Sequence, residues 1–540
     1  MENSKELATE ITKVLAGSLE DRAKAIIDSP YCEEILQHIP VQDAYMIIKE
    51  SFGGDSRFLL PYVKPERVAS FIDIDCWKGD SPSIEGIFEW LNELVNAADD
   101  TLMDVLNILD LELLVLLFYP YLKVIVTSPT DDNIPQIIEA GFETFDNNYF
   151  FIFSGDTEET KLLRFILDSA FLYNQEMYFR ILEGVRWELP ANMEETAFHH
   201  RSIRLTELGF TPPEEASGIY ARRPTDKIIS SDLRTDQIPV IREEEKFFLP
   251  ALYNEKISAN SLLVSAMAEA DPLTVENFSF EMMYLANKII MADYKPLNDI
   301  VSLKLSVEKA AALTSLGLSI AMRTKAQDAP AILKTMTAET LFSLGFNTLM
   351  ELQDSLRKSL KGLNRGIVPA SCREITDDLL KKYPVMTGDR FITIDDVDYS
   401  NDVIRRLDLL RLMLEYFDFK GASLKGSNVD SEGLDLENII LTAIAANVVS
   451  GENRFRPLSK SEFAVFVETA TSLKEGKRCV RTAFAGELKD LVYGMVPESK
   501  RQAVSATVDQ LCMRLESELS GFKSVNEINP RYITCLIVRL

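Results

Sequence analysis

The chain has 540 residues, 46% of them hydrophobic, and its 57 Lys+Arg against 84 Asp+Glu give a net charge of −27. That length exceeds one ordinary core and predicts about two to four domains or one long array, while the apolar content excludes global disorder. The acidic field repels phosphate backbones and anionic lipid surfaces, which argues against nucleic-acid binding and leaves a soluble surface suited to cations and basic protein patches.

In chain order, the N-terminal sequence Met1-Glu2-Asn3-Ser4-Lys5-Glu6 is polar and carries no apolar core behind it, so no signal peptide is expected. Residues 1–125 read as helical, with turns at Gly53-Gly54-Asp55 and Gly79-Asp80-Ser81-Pro82. Within them the segment from Ile39 to Ile48 recurs from Val63 to Ile72, at an offset of 24 residues. Both copies have a proline near the helix start and then apolar residues at helical spacing. A fixed period of this kind predicts a helical-repeat superhelix, and a repeat array presents an extended binding surface. Leu113–Tyr119 is the greasiest stretch, flanked by Asp110, Glu112, Pro120 and Lys123. It is far short of the roughly 20 apolar residues of a membrane span, so it predicts a buried core helix and no membrane span is expected.

Residues 126–225 read as an α-rich module with a few short strands. Val124-Ile125-Val126 and Tyr149–Phe153 predict a small hairpin or a single added strand. Gly-Phe pairs at residues 141, 209, 345 and 521 follow helical patterns and predict helix stops, with glycine in the left-handed conformation. Residues 226–250, broken by Pro239 and Pro250 and carrying the charged run Ile241–Lys246, read as a linker. Residues 251–540 read as a C-terminal helical domain. There Val403, Leu407, Leu410, Leu414 and Phe417 form an apolar stripe, and Leu436–Val449, apolar nearly all round, predicts a central buried helix. The last eleven residues, Pro530–Leu540, read as a strand that pairs with the short strands near residue 150. The fold expected is therefore mostly α.

Catalytic signatures are few. Six scattered cysteines form no CxxC pair, which fits reduced thiols in a cytoplasmic compartment. No phosphate-cradling glycine loop, HExxH or GxSxG occurs, and the three histidines argue against a multi-histidine metal site or a hydrolase triad, so no cofactor is expected. Glu195 and His199, four apart, share a helix face and with Glu194 and His200 offer a divalent-cation site, or else an ordinary exposed helix face. Arg201 and Arg204 offer an anion or carboxylate site, or else structural pairing with those glutamates or with Glu214-Glu215. The acidic run Asp395–Asp402 lacks the glycine and the terminal glutamate of a calcium loop and reads as a polar loop capping a helix that begins near Val403. Asp73-Ile74-Asp75-Cys76-Trp77 reads as a repeat-end turn with Trp77 in the core.

The segment Glu194–Tyr220 carries Glu194, Glu195, Ala197, Arg201, Arg204, Leu205, Gly209, Phe210, Glu215, Ala216, Ile219 and Tyr220 in the order EE-x-A, R-x-x-RL, GF, EA-x-x-IY. It resembles the central signature of a bacterial family of long, soluble, helical proteins with a domain of unknown function, with His200 departing from the aromatic residue that family tends to place before the first arginine. The resemblance spans nearly the whole chain and implies no activity. Residues 30–120 are also similar to the cytosolic helical domain of bacterial magnesium channels, an acidic, cation-responsive module. The leading functional expectation is a protein–protein interaction or scaffold module. A divalent-cation- or ligand-responsive regulator is the alternative, and an enzyme with Glu194, Glu195, His199, His200, Arg201 and Arg204 around one pocket is the third reading.

Overall fold

The computed structural model describes residues 2–97, 99–128, 133–231, 250–417, 419, 427–429 and 433–540. Helix accounts for 69% of the chain, and strand is confined to four two-stranded antiparallel pairs among the described residues, so the protein is mostly α. The chain divides into two compact units. The first comprises Met1–Ala221, Asp232–Ser315 and Gln327–Thr340, and the second Arg222–Ser231, Leu316–Ala326 and Leu341–Leu540. Most of the linker expected at 226–250, residues 232–249, lies outside the described residues.

In the first unit both copies of the 24-residue pattern are helices, Val41–Glu50 and Pro65–Asp75, packed against each other. Pro40 caps the first and Pro65 opens the second, where a missing N–H costs nothing. Equivalent positions are equally buried: Ala44, Ile47 and Ile48 match Val68, Phe71 and Ile72, all with no exposed surface. Arg67 ties the second helix to the end of the helix Cys32–His38 that precedes the first, donating to the carbonyls of Gln37 at 3.0 Å and Ile39 at 2.6 Å. The greasy segment is the helix Leu111–Phe118, buried from Leu113 to Phe118. It packs on the helices Gln175–Trp187 and Pro190–Glu207. Gly184 permits that approach, because a Cβ there would lie 2.4 Å from Val115 Cγ2. The hairpin expected near residue 150 is present: Leu122–Val126 pairs antiparallel with Tyr149–Phe153, Leu122 opposite Phe153 and Val126 opposite Tyr149.

Of the four Gly-Phe stops, Gly141 and Gly209 adopt the left-handed conformation, with φ of 91° and 84°. Phe210 N–H donates back to Leu205 at 2.8 Å, closing the Pro190–Glu207 helix as a Schellman turn. Gly521 follows a helix that ends at Leu519 but is not left-handed. Gly345 stops nothing and sits inside the helix Ala338–Ser359. The reason is in the second unit: a Cβ on Gly317 would lie 1.8 Å from Leu341 O and 3.1 Å from Gly345 N. Two helices touch there backbone to backbone, so the glycine serves contact rather than termination.

Two further expectations are corrected in the second unit. The run Asp395–Asp402 is not a loop. The helix Ile394–Tyr416 starts before it, capped by Thr393, whose N–H and hydroxyl both donate to Asp396 at 2.8 and 2.7 Å. Acidic residues suit a helix's first turn, so the cluster belongs to the helix rather than preceding it. The C-terminal segment does not pair with the strands near residue 150, which pair with each other. Instead Val538 bridges Leu458 and Arg539 bridges Ser427. The buried run from Cys535 to Val538 is anchored by Ile537 N–H donating to Thr442 Oγ1 at 2.8 Å. Thr442 belongs to the helix Leu436–Ser450, which is buried at every position from Leu436 to Ala446, as its composition predicts.

The helix Ile300–Lys325 is, among the described residues, the one long and apolar enough to cross a membrane, and 61% of its apolar window is buried inside the protein.

Candidate functional site

The helix Pro190–Glu207 turns Ala197, Arg201 and Leu205 inward, at four-residue steps. Arg201 is buried: its Nε donates to the carbonyl of Asp73 at 2.8 Å and its guanidinium lies 4.9 Å from the Trp77 ring centre. Burial pulls its pKa down to about 10.

Arg204, one turn on, meets two carboxylates. It gives Nε to Asp73 Oδ2 at 2.6 Å and Nη2 to Asp73 Oδ1 at 2.9 Å. It also gives Nη1 to Asp110 Oδ1 at 2.9 Å and Nη2 to Asp110 Oδ2 at 2.7 Å. Burial works against the charge of Arg204, but its hydrogen bonds to Asp73 and Asp110 outweigh burial and raise its pKa. Asp73 is almost wholly enclosed, and burial holds its carboxyl above the ordinary value despite the arginine. His200 Nδ1 lies 3.4 Å from Asp110 Oδ1 and 3.7 Å from Glu112 Oε2.

Asp73 lies in the last turn of the helix Pro65–Asp75 and Asp110 precedes the helix Leu111–Phe118, so one guanidinium clasps three chain segments. Asp75, two residues on, is a second hub. It accepts from Tyr45 Oη at 2.9 Å, Trp90 Nε1 at 2.8 Å and Lys49 Nζ at 2.9 Å. Burial pushes the Asp75 carboxyl up, but these donors, Lys49 foremost, bring it below its ordinary value. Trp77 is buried as expected, but Asp73 and Asp75 are helical residues with committed partners rather than members of a turn.

Of the seven residues singled out in the sequence, His200 and Arg204 meet these carboxylates and Arg201 meets the Asp73 backbone carbonyl. Glu195 and His199 are exposed and Glu194 is half-buried; none of the three shares in the clasp, and the His199 and His200 rings are 6.4 Å apart. Among the described residues no group of three or more His, Cys, Asp or Glu is placed to hold a metal ion. Tyr220 belongs to a different cluster. Its hydroxyl donates to Asp293 Oδ1 at 2.8 Å and accepts from Lys309 Nζ at 2.6 Å, and Lys309 also reaches Asp293 Oδ2 at 2.7 Å. Lys309 is buried, and that burial lowers its pKa.

The arrangement holds segments together more readily than it reacts. Both carboxylates of the clasp are hydrogen-bonded to Arg204, and Glu214 and Glu215 stay exposed and take no part. The acidic partners are not legible in the sequence, because Asp73 and Asp110 lie 131 and 94 residues from Arg204. The visible signal is the placement of Arg201 on the apolar face with Ala197 and Leu205.

No curated protein and no solved structure matches the chain. A family model described as "Family of unknown function (DUF6178)" matches residues 1–539, and the chain belongs to that family.

Proposed function

We propose that this protein is a cytoplasmic interaction module whose helical surface holds a protein partner. The observation that carries the reading is one exposed apolar corner of the first unit. Leu172 and Tyr173, at the end of the helix Glu158–Tyr173, are 71% and 79% exposed. Phe165, seven residues before Leu172 and so on the same helix face, is half exposed. Asn174 Nδ2 donates to Asn107 Oδ1 at 2.7 Å, which brings the turn carrying exposed Ile108 to that corner. Contiguous exposed apolar side chains mark interaction sites in soluble proteins, and aromatic residues dominate such sites energetically. With a net charge of −27, the complementary partner is basic around its apolar contact.

The test is affinity capture of the tagged full chain from its own host at native expression, beside a Leu172→Asp/Tyr173→Asp variant. The proposal expects a stoichiometric basic partner with the parent chain and its loss with the variant, whose circular dichroism stays unchanged. A parent chain that emerges alone, or a partner retained equally by the variant, overturns it.

A further inference from the structure

The second unit contains a cleft of about 310 Å³, at the small end of the roughly 300–1,000 Å³ range of ligand sites. One wall is the helix Ile394–Tyr416, which presents Tyr399, Asp402, Val403 and Arg406 at three- and four-residue spacing, flanked by Arg405. The other is the helix Val504–Leu519 with the turn before it, presenting Gln502, Ala503, Ala506, Thr507 and Gln510. The space exists because alanines stand where larger side chains would fill it. Ser371 closes one end, where its carbonyl accepts from the Tyr399 hydroxyl at 3.2 Å.

The lining has two arginines against one aspartate, in a chain where acids outnumber bases 84 to 57. Among the described residues Arg405 pairs only with Asp402, at 3.1 Å, with both side chains more than half exposed. Such an i,i+3 surface pair is weak and yields to a competing anion. Arg406 differs, for its side chain is only 14% exposed. One of its terminal nitrogens meets Glu437, which also accepts from Arg514 at 2.8 Å. Its other terminal nitrogen has the Cys372 sulfur at 3.9 Å, and its Nε has no hydrogen-bond partner among the described residues. That Nε is enclosed within the protein, so Arg406 serves the cleft as a lining residue and a fixed positive charge held between Glu437 and Cys372. Burial also depresses its pKa.

We infer that this cleft binds a small organic anion, a phosphate or carboxylate on a compact planar body. The anionic head meets Arg405 and Arg406, the amides of Gln502 and Gln510 give further hydrogen bonds, and the body lies against Tyr399 and the alanines. Arginine recognises both head groups through paired N–H donors, so the two sources share one chemistry.

The experiment is titration calorimetry and thermal shift of the full chain with phenyl phosphate, benzoate and inorganic phosphate. The expected result is saturable binding of phenyl phosphate or benzoate, tighter than inorganic phosphate, with a rise in Tm; whichever binds more tightly identifies the head group. Ala506→Trp, at an exposed position, fills the cleft and is expected to abolish binding. Gln510→Glu, also exposed, adds an opposing charge and is expected to weaken it by about tenfold, which keeps the test decisive if the tryptophan disturbs folding. Absence of binding by both aromatic anions at about 10 mM, beyond the weakest range of specific sites, overturns the proposal. So does affinity unchanged in both variants.

Discussion

Arg204 and Asp73 form a two-bond fork, Nε to Oδ2 at 2.6 Å and Nη2 to Oδ1 at 2.9 Å, although 131 residues separate them in the chain. The same guanidinium turns its other edge to Asp110. Two carboxylates from different segments therefore share the hydrogen bonds of one guanidinium.

Removing that cation strips both enclosed carboxylates of their guanidinium hydrogen bonds. Arg204→Ala is expected to lose about 3–5 kcal/mol, the usual result of breaking a buried pair from one side. Arg204→Lys keeps the charge but cannot fork to both acids, and is expected to fall between. Urea unfolding of the two variants checks the order; an alanine variant as stable as the parent chain would show that the clasp carries no stability.

Gly317 has no room for a side chain. Its Cβ would lie 1.8 Å from the Leu341 carbonyl oxygen, and backbone cannot swing aside as a side chain can. Gly317→Ala is expected to cost at least about 1–3 kcal/mol by forcing the helices apart. Gly218, where a methyl group would meet nothing within 4 Å, is the control, and its alanine variant is expected to stay within about 0.5 kcal/mol of the parent chain. Thermal denaturation of the pair separates overpacking from a general loss of glycine.

Asp43 makes stability depend on pH. Burial raises its carboxyl from the ordinary 3.8 to about 6, opposed by the Ala251 N–H at 3.0 Å and by Arg22. The folded chain thus keeps this proton to a higher pH than the unfolded chain does. The contribution of this group to stability is greatest below pH 3.8 and falls as pH rises to 6. Above that it stays lower by about 3 kcal/mol. Asp43→Asn retains an oxygen for Ala251 and buries no charge. It is expected to melt higher than the parent chain at about pH 7.5, with the gap closing toward about pH 4. A gap independent of pH would sink this assignment.

Thr442 tests how the C-terminus is held. Its hydroxyl accepts from Ile537 N–H at 2.8 Å and donates to the Asn438 carbonyl at 2.6 Å. Thr442→Val preserves shape and strands the Ile537 N–H, at an expected cost of about 1–3 kcal/mol. Hydrogen exchange should show the loss of protection concentrated at Ile537 and its neighbours; uniform loss would argue against a local anchor.

What the sequence determined by itself was local. Apolar residues at helical spacing place the helices Val41–Glu50, Pro65–Asp75 and Leu436–Ser450, because the pattern and the helix share one period. Aromatic and β-branched runs place the strands at 122–126 and 149–153 for the corresponding reason. Even the buried setting of Arg201 is legible from its step to Ala197 and Leu205. Tertiary structure alone decided who meets whom. Gly345 resembles Gly209 in sequence, yet one lies in a helix touching another backbone and the other ends a helix. Arg204 finds Asp73 and Asp110 rather than the nearby Glu214 and Glu215. The C-terminal segment finds Thr442 and Leu458 rather than the hairpin near residue 150. Pairing across a hundred residues depends on how helices pack, and packing is set by the summed shape and burial of many side chains, which no local pattern carries.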